Sequence, residues 1–219
     1  MPFSSVLGAS SVIKPGVCTS TTRPTVPYEG QLIYETDTDR VAAYNGSAWV
    51  YGFTGGMSII KPETSFSAAT SVDVDSAFSS SFTNYKLVVN YTTTASGIRI
   101  RFRAGGSTVS TSTYNEQQMY GDNATTTSSR GANGGSIIVG NSSSGSFNSS
   151  FECMIYNPNV ATPTTVMSTN ICSFTAYTAP IVLIHGGNQT GATSYDGFNL
   201  FTGSGTMTGT YTLYGLAKA

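Results

Sequence analysis

The chain has 219 residues, a formal net charge of −1 and only 10% charged residues, well below the roughly 25% usual in soluble domains. So few cations exclude binding to the phosphate backbone of a nucleic acid, which needs several Lys and Arg side chains on one face. No apolar run approaches the ~20 residues that span a bilayer, so we expect no membrane insertion.

Serine, threonine, glycine and aromatic residues shape the rest of the composition, with 13 Tyr, 11 Phe and 24 Gly. This aromatic content and the low net charge are unlike those of a disordered chain. β-Branched and aromatic side chains favour strands, and Gly and Asn favour the turns between them. Because no segment shows apolar residues at helical spacing, the composition predicts an all-β protein.

Residues 1–30 predict an extended N-terminal arm. Prolines at positions 2, 15, 24 and 27 interrupt any regular element in this segment. We expect such an arm to become ordered only against a partner. The apolar side chains that could anchor it there are Phe3, Val6, Leu7, Val12 and Ile13.

Residues 31–57 predict a three-stranded β-meander followed by a glycine-rich joint. Strands Gln31–Glu35 and Arg40–Tyr44 flank a TDTD turn, and Asn45-Gly46 is a type I′ hairpin signal before a third strand, Ser47–Tyr51. A unit this small rarely buries a core alone. We therefore predict a homotrimerisation segment with the interface residues Leu32, Tyr34, Tyr44 and Trp49.

Residues 58–219 show short apolar or alternating segments separated by Gly, Ser and Asn turns, which is typical of an antiparallel β-sandwich or jelly roll. The predicted strands are 71–74, 85–92, 97–104, 114–120, 136–139, 147–156, 164–174, 181–184, 197–200 and 206–216. In 97–104, Ile and Phe alternate with Arg99, Arg101 and Arg103. We expect these arginines to face solvent beside carboxylates such as Glu116 or Glu152.

The residues offer no convincing catalytic, metal or cofactor site. The one histidine, His185, follows an apolar strand without a recognisable nucleophile, and no GxSxG, HExxH or Walker-type motif occurs. Glu35, Asp37 and Asp39 lie together in a turn, which is a poor place for a glycosidase cleft and has too few ligands for calcium. We therefore predict a non-enzymatic protein without metal or cofactor.

Residues 23–50 resemble a segment of tailed-bacteriophage structural proteins, with the pattern TRP-x-x-P-x-EGQ-x-IYETDT followed by NGSAW. The positions that match are Arg23, Pro24, Pro27, Glu29, Gly30, Gln31, Ile33, Tyr34, Glu35, Thr36, Asp37, Thr38, Asn45, Gly46 and Trp49. Residues 82–91 and 196–216 resemble the opening and closing strands of jelly-roll domains in phage fibre and decoration proteins.

This resemblance implies a homotrimer on the exterior of a virion, attached to other phage structural proteins through its N-terminal arm and assembled in the host cytoplasm. Two locations remain open. One is a tail fibre-like appendage that could bind a host-surface glycan, and the other is a head decoration or cement protein, or a head fibre. A sugar-cleaving depolymerase is a third alternative. In a reducing cytosol we expect Cys153 and Cys172 to stay unpaired.

Overall fold

The computed structural model describes residues 15–51, 56–94, 97–122, 125–141, 148–172 and 180–217. These residues form an all-β protein, as predicted, and the chain divides into two compact units, Met1–Gly55 and Gly56–Ala219. The predicted anchor residues Phe3, Val6, Leu7, Val12 and Ile13 lie outside the described residues.

In its described part, the first unit is one four-stranded sheet with the order β1-β2-β3-β4. The strands are β1 Gly16–Cys18, β2 Leu32–Glu35, β3 Arg40–Tyr44 and β4 Trp49–Tyr51. Strands β2 to β4 form the predicted antiparallel meander. Strand β1 was not predicted: it pairs in parallel with β2, with Val17 opposite Tyr34. The predicted three-stranded meander is therefore present, but a fourth strand from the segment predicted as an extended arm adds to its edge. A strand of three residues is too short to show alternation in the sequence.

The strands of the second unit are β5 Met57–Ala69, β6 Ser71–Val74, β7 Asn84–Thr93, β8 Gly97–Ala104, β9 Ser107–Thr108, β10 Tyr114–Asp122, β11 Thr125–Gly134, β12 Ile137–Asn141, β13 Ser149–Tyr156, β14 Thr164–Cys172, β15 Ile181–Gln189, β16 Gly197–Thr202 and β17 Met207–Leu216. Among the described residues they build a large sheet of eight strands, in the order β11-β10-β15-β14-β13-β7-β17-β5. The small sheet has the order β12-β8-β16-β6, and β9 pairs with β8.

The two sheets share one hydrophobic core, which makes the second unit a β-sandwich. The large sheet contributes the fully buried Leu87 and Val89 of β7. The small sheet contributes Ile98, Ile100 and Phe102 of β8, which are also fully buried. Every second residue of these strands points inward, as their sequence alternation predicts. Each such side chain contributes about 1.5–3 kcal/mol to folding.

Each strand predicted for this unit occurs, with shifts of a few residues at the ends, whereas β5, β9 and β11 were missed. Strands β5 and β11 form the two edges of the large sheet. An edge strand needs little apolar alternation, and it can contain a proline such as Pro62 of β5. Strand β11, with the sequence TTTSSRGANG, is almost wholly exposed.

The prediction that the arginines of β8 face solvent is wrong for Arg103. Its side chain is buried and pairs with the carboxylates of Asp73, at 2.8 Å, and Asp75, at 2.7 Å. The hydrogen bond from Arg103 lowers the pKa of Asp75. The guanidinium of Arg101 lies over the ring of Phe201, 3.9 Å from its centroid, so this side chain also packs on the protein.

Only one of the two predicted carboxylate partners pairs with an arginine of β8. Arg99 Nη1 lies 3.8 Å from Glu116 Oε2, as expected. Glu152 does not pair with an arginine but with Lys86, with 2.9 Å between Nζ and Oε2. The reason is strand order, because β13 pairs with β7 in the large sheet and places Glu152 next to that lysine. The thiols of Cys153 and Cys172 are free.

Candidate functional site

The first unit contains a buried carboxylate, Glu35, held by three donors. Arg23 Nε donates to Oε1 at 2.5 Å, and the hydroxyls of Tyr51 and Thr38 donate to Oε2 at 2.9 Å and 3.0 Å. The hydrogen bond from Arg23 is the main reason why the pKa of Glu35 is lowered. Arg23 precedes the meander and Tyr51 is its last residue. Their hydrogen bonds to Glu35 therefore link the two ends of the segment.

We expect Glu35→Gln to destabilise the first unit at neutral pH, since the variant leaves Arg23 without its ionic partner. In the wild type the ionised carboxylate stabilises the fold above its unfolded pKa of about 4.3. That stabilisation is lost as the pH falls through the lower folded pKa. The fluorescence of Trp49, the one tryptophan of the chain, reports thermal unfolding of this unit between pH 7 and pH 2.

Glu29→Gln is the matched control for that experiment, because Glu29 is exposed in the same unit. We expect it to melt like the wild type at every pH. If Glu35→Gln showed the same melting temperatures as this control, the buried ion pair would not stabilise the unit.

The neighbouring acidic residues are also engaged by protein groups. Asp37 accepts hydrogen bonds from the backbone N of Ser20 at 2.8 Å and from its hydroxyl at 2.5 Å. Asp39 accepts one from the hydroxyl of Tyr34 at 2.8 Å. Among the described residues, no group of three or more His, Cys, Asp or Glu side chains could hold a metal ion. These carboxylates therefore shape the turn.

The four predicted interface residues lie on opposite faces of the first sheet. Tyr44 is opposite Trp49 in the register, and their ring centroids are 5.4 Å apart. Leu32 and Tyr34 alternate with buried residues of β2 and lie on the other face, where Tyr34 is opposite Val41. The structure thus brings the residues together as two pairs and not as one surface.

His185 is buried on the inner side of β15. Neither ring nitrogen has a hydrogen-bond partner among the described residues, and burial lowers the pKa of His185 to about 4. A general base must reach the group whose proton it removes, directly or through one water. This environment is typical of a structural histidine.

The burial of His185 has a consequence for stability. Its folded pKa of about 4 lies below the ordinary value of 6.5, so the unfolded chain takes up the proton first as the pH falls. We expect the free energy of unfolding to decrease by about 3 kcal/mol between pH 6.5 and pH 4 through this residue. Urea unfolding followed by circular dichroism at several pH values, in wild type and His185→Gln, measures the difference. Equal pH dependence in the two proteins would contradict it.

The outer face of β10, β15 and β14, turned away from the small sheet, has a polar end and an apolar end. At the polar end, Asn115 is opposite Asn188, which is opposite Thr165. The next row is Gln117, Gly186 and Met167.

A cleft of about 520 Å³ opens at this polar end. Its lining residues are Asn115, Glu116, Gln117, Arg130, Ala132, Thr165, Gly186, Gly187 and Asn188. A Cβ atom added to Gly186 would meet nothing within 4 Å, so the missing side chain leaves the space open. A Cβ atom on Gly187 would lie 2.6 Å from the carbonyl O of Asn115, so close packing requires this second glycine.

The cleft has unused hydrogen-bonding capacity. Asn115 Nδ2 donates to Asn188 Oδ1 at 3.0 Å, which leaves the Nδ2 donor of Asn188 free of a partner among the described residues. The side chains of Gln117, Arg130 and Thr165 likewise make no hydrogen bond or ion pair with any other residue that the structure describes. Donors and acceptors therefore face the same open space.

The apolar end of the outer face carries large exposed hydrophobic side chains. They are Met119, Met167, Ile171, Val182 and Ile184, each between 39% and 52% exposed. In the register Met119 is opposite Ile184, and Val182 is opposite Ile171. Exposed apolar side chains that lie together in this way are common at interaction surfaces.

Neither the cleft nor the apolar end of the outer face was predicted from the sequence. The cleft is lined from two strand pairs, β10 with β11 and β14 with β15, that are well separated in the sequence. Only the Gly186-Gly187 pair could have signalled a close approach of backbones. Within the described part of the chain, no helix is long and apolar enough to cross a membrane. Comparison of the chain with protein-family models, curated proteins and solved structures finds no match.

Proposed function

We propose that this chain is a non-enzymatic structural protein of a tailed-bacteriophage virion, a homotrimeric tail fibre-like appendage on the particle exterior. The observation that carries the proposal is that the phage-like segment forms a folded unit through its own pattern residues. Arg23 pairs with Glu35, and Thr38 donates to the same carboxylate. Asn45 Oδ1 accepts from the backbone N of Ala48 at 2.8 Å, in a turn that contains Gly46 with φ +92°.

The apolar end of the outer face supports a homo-oligomer. Among the described outward positions of β10, β15 and β14, none carries a charge. On the β13 side of this face, Glu152 is paired with Lys86, and on the β11 side Arg130 lies opposite Gln117, at the polar end. A second copy would present the same neutral, apolar surface without like-charge repulsion, and burial would remove the exposed hydrophobic side chains from water. We therefore infer that other copies of this chain cover the apolar end.

A head decoration or cement protein, or a head fibre, is the second candidate. The shortness of the first unit favours it, since the described strands of that unit run only from Gly16 to Tyr51 and give little reach away from a particle. In either location the second unit would face outward, where it could recognise a glycan on the host surface.

Quantitative mass spectrometry of purified particles tests the proposal. We expect the protein to be present in intact particles, at a few copies if it is a tail appendage and at many copies if it decorates the head. Immunogold labelling distinguishes head from tail independently of copy number. A protein that is abundant in infected cells but absent from purified particles would overturn the proposal.

A further inference from the structure

We propose that the cleft at the polar end of the outer face binds a short, uncharged oligosaccharide. The inference rests on the proposed function, because an exterior virion domain meets the carbohydrate of a bacterial surface. It adds the site and the chemical class of the ligand.

The shape of the cleft admits a ligand to the backbone of β15. Gly186 lies between Gln117 and Met167 in the register, and the space above it is open. A volume of about 520 Å³ lies within the ~300–1,000 Å³ usual for small-ligand sites. It is therefore large enough for a short chain of sugar rings.

The polar groups around this space match sugar hydroxyls. A hydroxyl both donates and accepts, and the cleft provides the amides of Gln117 and Asn188 and the hydroxyl of Thr165 for both roles. Small-molecule sites are mostly apolar, but this lining is dominated by amide, hydroxyl and charged groups. Tyr156, half-buried and opposite Thr165 in the register, is the adjacent outward residue and offers a ring for the apolar face of a sugar.

The charges of the cleft favour an uncharged ligand. Arg130 is the one cationic residue of the lining, and the one anionic residue, Glu116, already has Arg99 as its ionic partner at 3.8 Å. Glu116 Oε2 already accepts a hydrogen bond from the backbone N of Ile138 at 2.8 Å. A phosphorylated or sialylated glycan would normally be held by several cations or a bidentate arginine cluster, which this lining does not supply.

Subunit packing at the apolar end leaves this cleft accessible. The lining residues Asn115, Asn188 and Thr165 lie at one end of their strands, and Met119, Ile184 and Ile171 lie at the other. Met167 is at the border between the two ends.

The test fills the cleft with a side chain. Gly186→Tyr places a ring in the open space without forcing the backbone, because no positive φ is found there. Gly203→Tyr is the matched control, since Gly203 is exposed in the loop between β16 and β17 and a Cβ atom there also meets nothing within 4 Å. The probe is an array of neutral hexose and N-acetylhexosamine oligosaccharides, with sialylated and phosphorylated glycans beside them, followed by calorimetry on the glycans that bind.

We expect the wild type and Gly203→Tyr to bind one set of neutral glycans, and Gly186→Tyr to bind them about tenfold more weakly or worse, with an unchanged melting temperature. Gln117→Ala should also weaken binding, and it removes no side-chain hydrogen bond within the described protein. Three outcomes would overturn the proposal: wild-type binding by both Gly186→Tyr and Gln117→Ala, a preference for charged glycans, or no glycan binding by the wild type. Because purified protein is used, a protein that is found on particles but binds no glycan would refute the cleft and leave the virion assignment standing.

Discussion

We expect Val182→Glu to convert the proposed trimer into folded monomers and Val160→Glu to leave it intact. The two valines are 52% and 45% exposed, so they form a matched pair. Val182 lies at the apolar end of the outer face, opposite Ile171, while Val160 lies in the turn between β13 and β14. A carboxylate buried in an apolar contact without a partner costs several kcal/mol, and symmetry repeats that cost in every subunit.

Light scattering coupled to size-exclusion chromatography measures the outcome, and circular dichroism shows whether the monomer is folded. We expect the fold to survive, because Val182 is half exposed within one subunit. Leu32→Glu tests the alternative that the first unit provides the trimer contact. A trimeric Val182→Glu together with a monomeric Leu32→Glu would place the interface on the first sheet, and a monomeric wild type would refute the trimer.

The sequence predicted strands well wherever side chains alternate strictly. Ser71–Val74 and Gly97–Ala104 have the same bounds in the prediction and in the structure, and Asn45-Gly46 marks a turn that the structure contains. Alternation could not reveal β11, because an edge strand exposed along its length needs no apolar face. Nor could it reveal β1, which is too short and depends on pairing with β2.

Features that depend on which strands become neighbours could not be predicted. The alternation of β8 predicted that Arg103 faces solvent. In the structure β16 lies between β8 and β6 in one sheet, and β6 contains Asp73, which pairs with Arg103. The cleft also depends on strand order, because the open space above Gly186 is bordered by Gln117 of β10 and Met167 of β14. Strand order is a long-range property, and local spacing carries no information about it.

If the proposed function is right, we expect deletion of residues 2–14 to leave a folded trimer that no longer joins virions. The deletion removes the anchor candidates Phe3, Val6, Leu7, Val12 and Ile13. It ends before β1, so the pairing of Gly16–Cys18 with β2 and the Arg23–Glu35 pair are kept. An arm that orders on docking offsets its entropy cost with backbone hydrogen bonds and a few apolar anchors, so losing all of them should abolish incorporation.

The extent of the deletion decides how its result is understood. Removing residues 2–22 would also take away β1 and expose the edge of β2, so a loss of incorporation could then reflect damage to the first sheet. The shorter deletion separates the two causes, provided that Trp49 fluorescence and light scattering show an intact first unit and a trimer. Mass spectrometry of particles from complemented infections gives the copy number. Incorporation of the shortened protein at the wild-type level would move the attachment site into the β-units and reverse which end of the chain faces the particle.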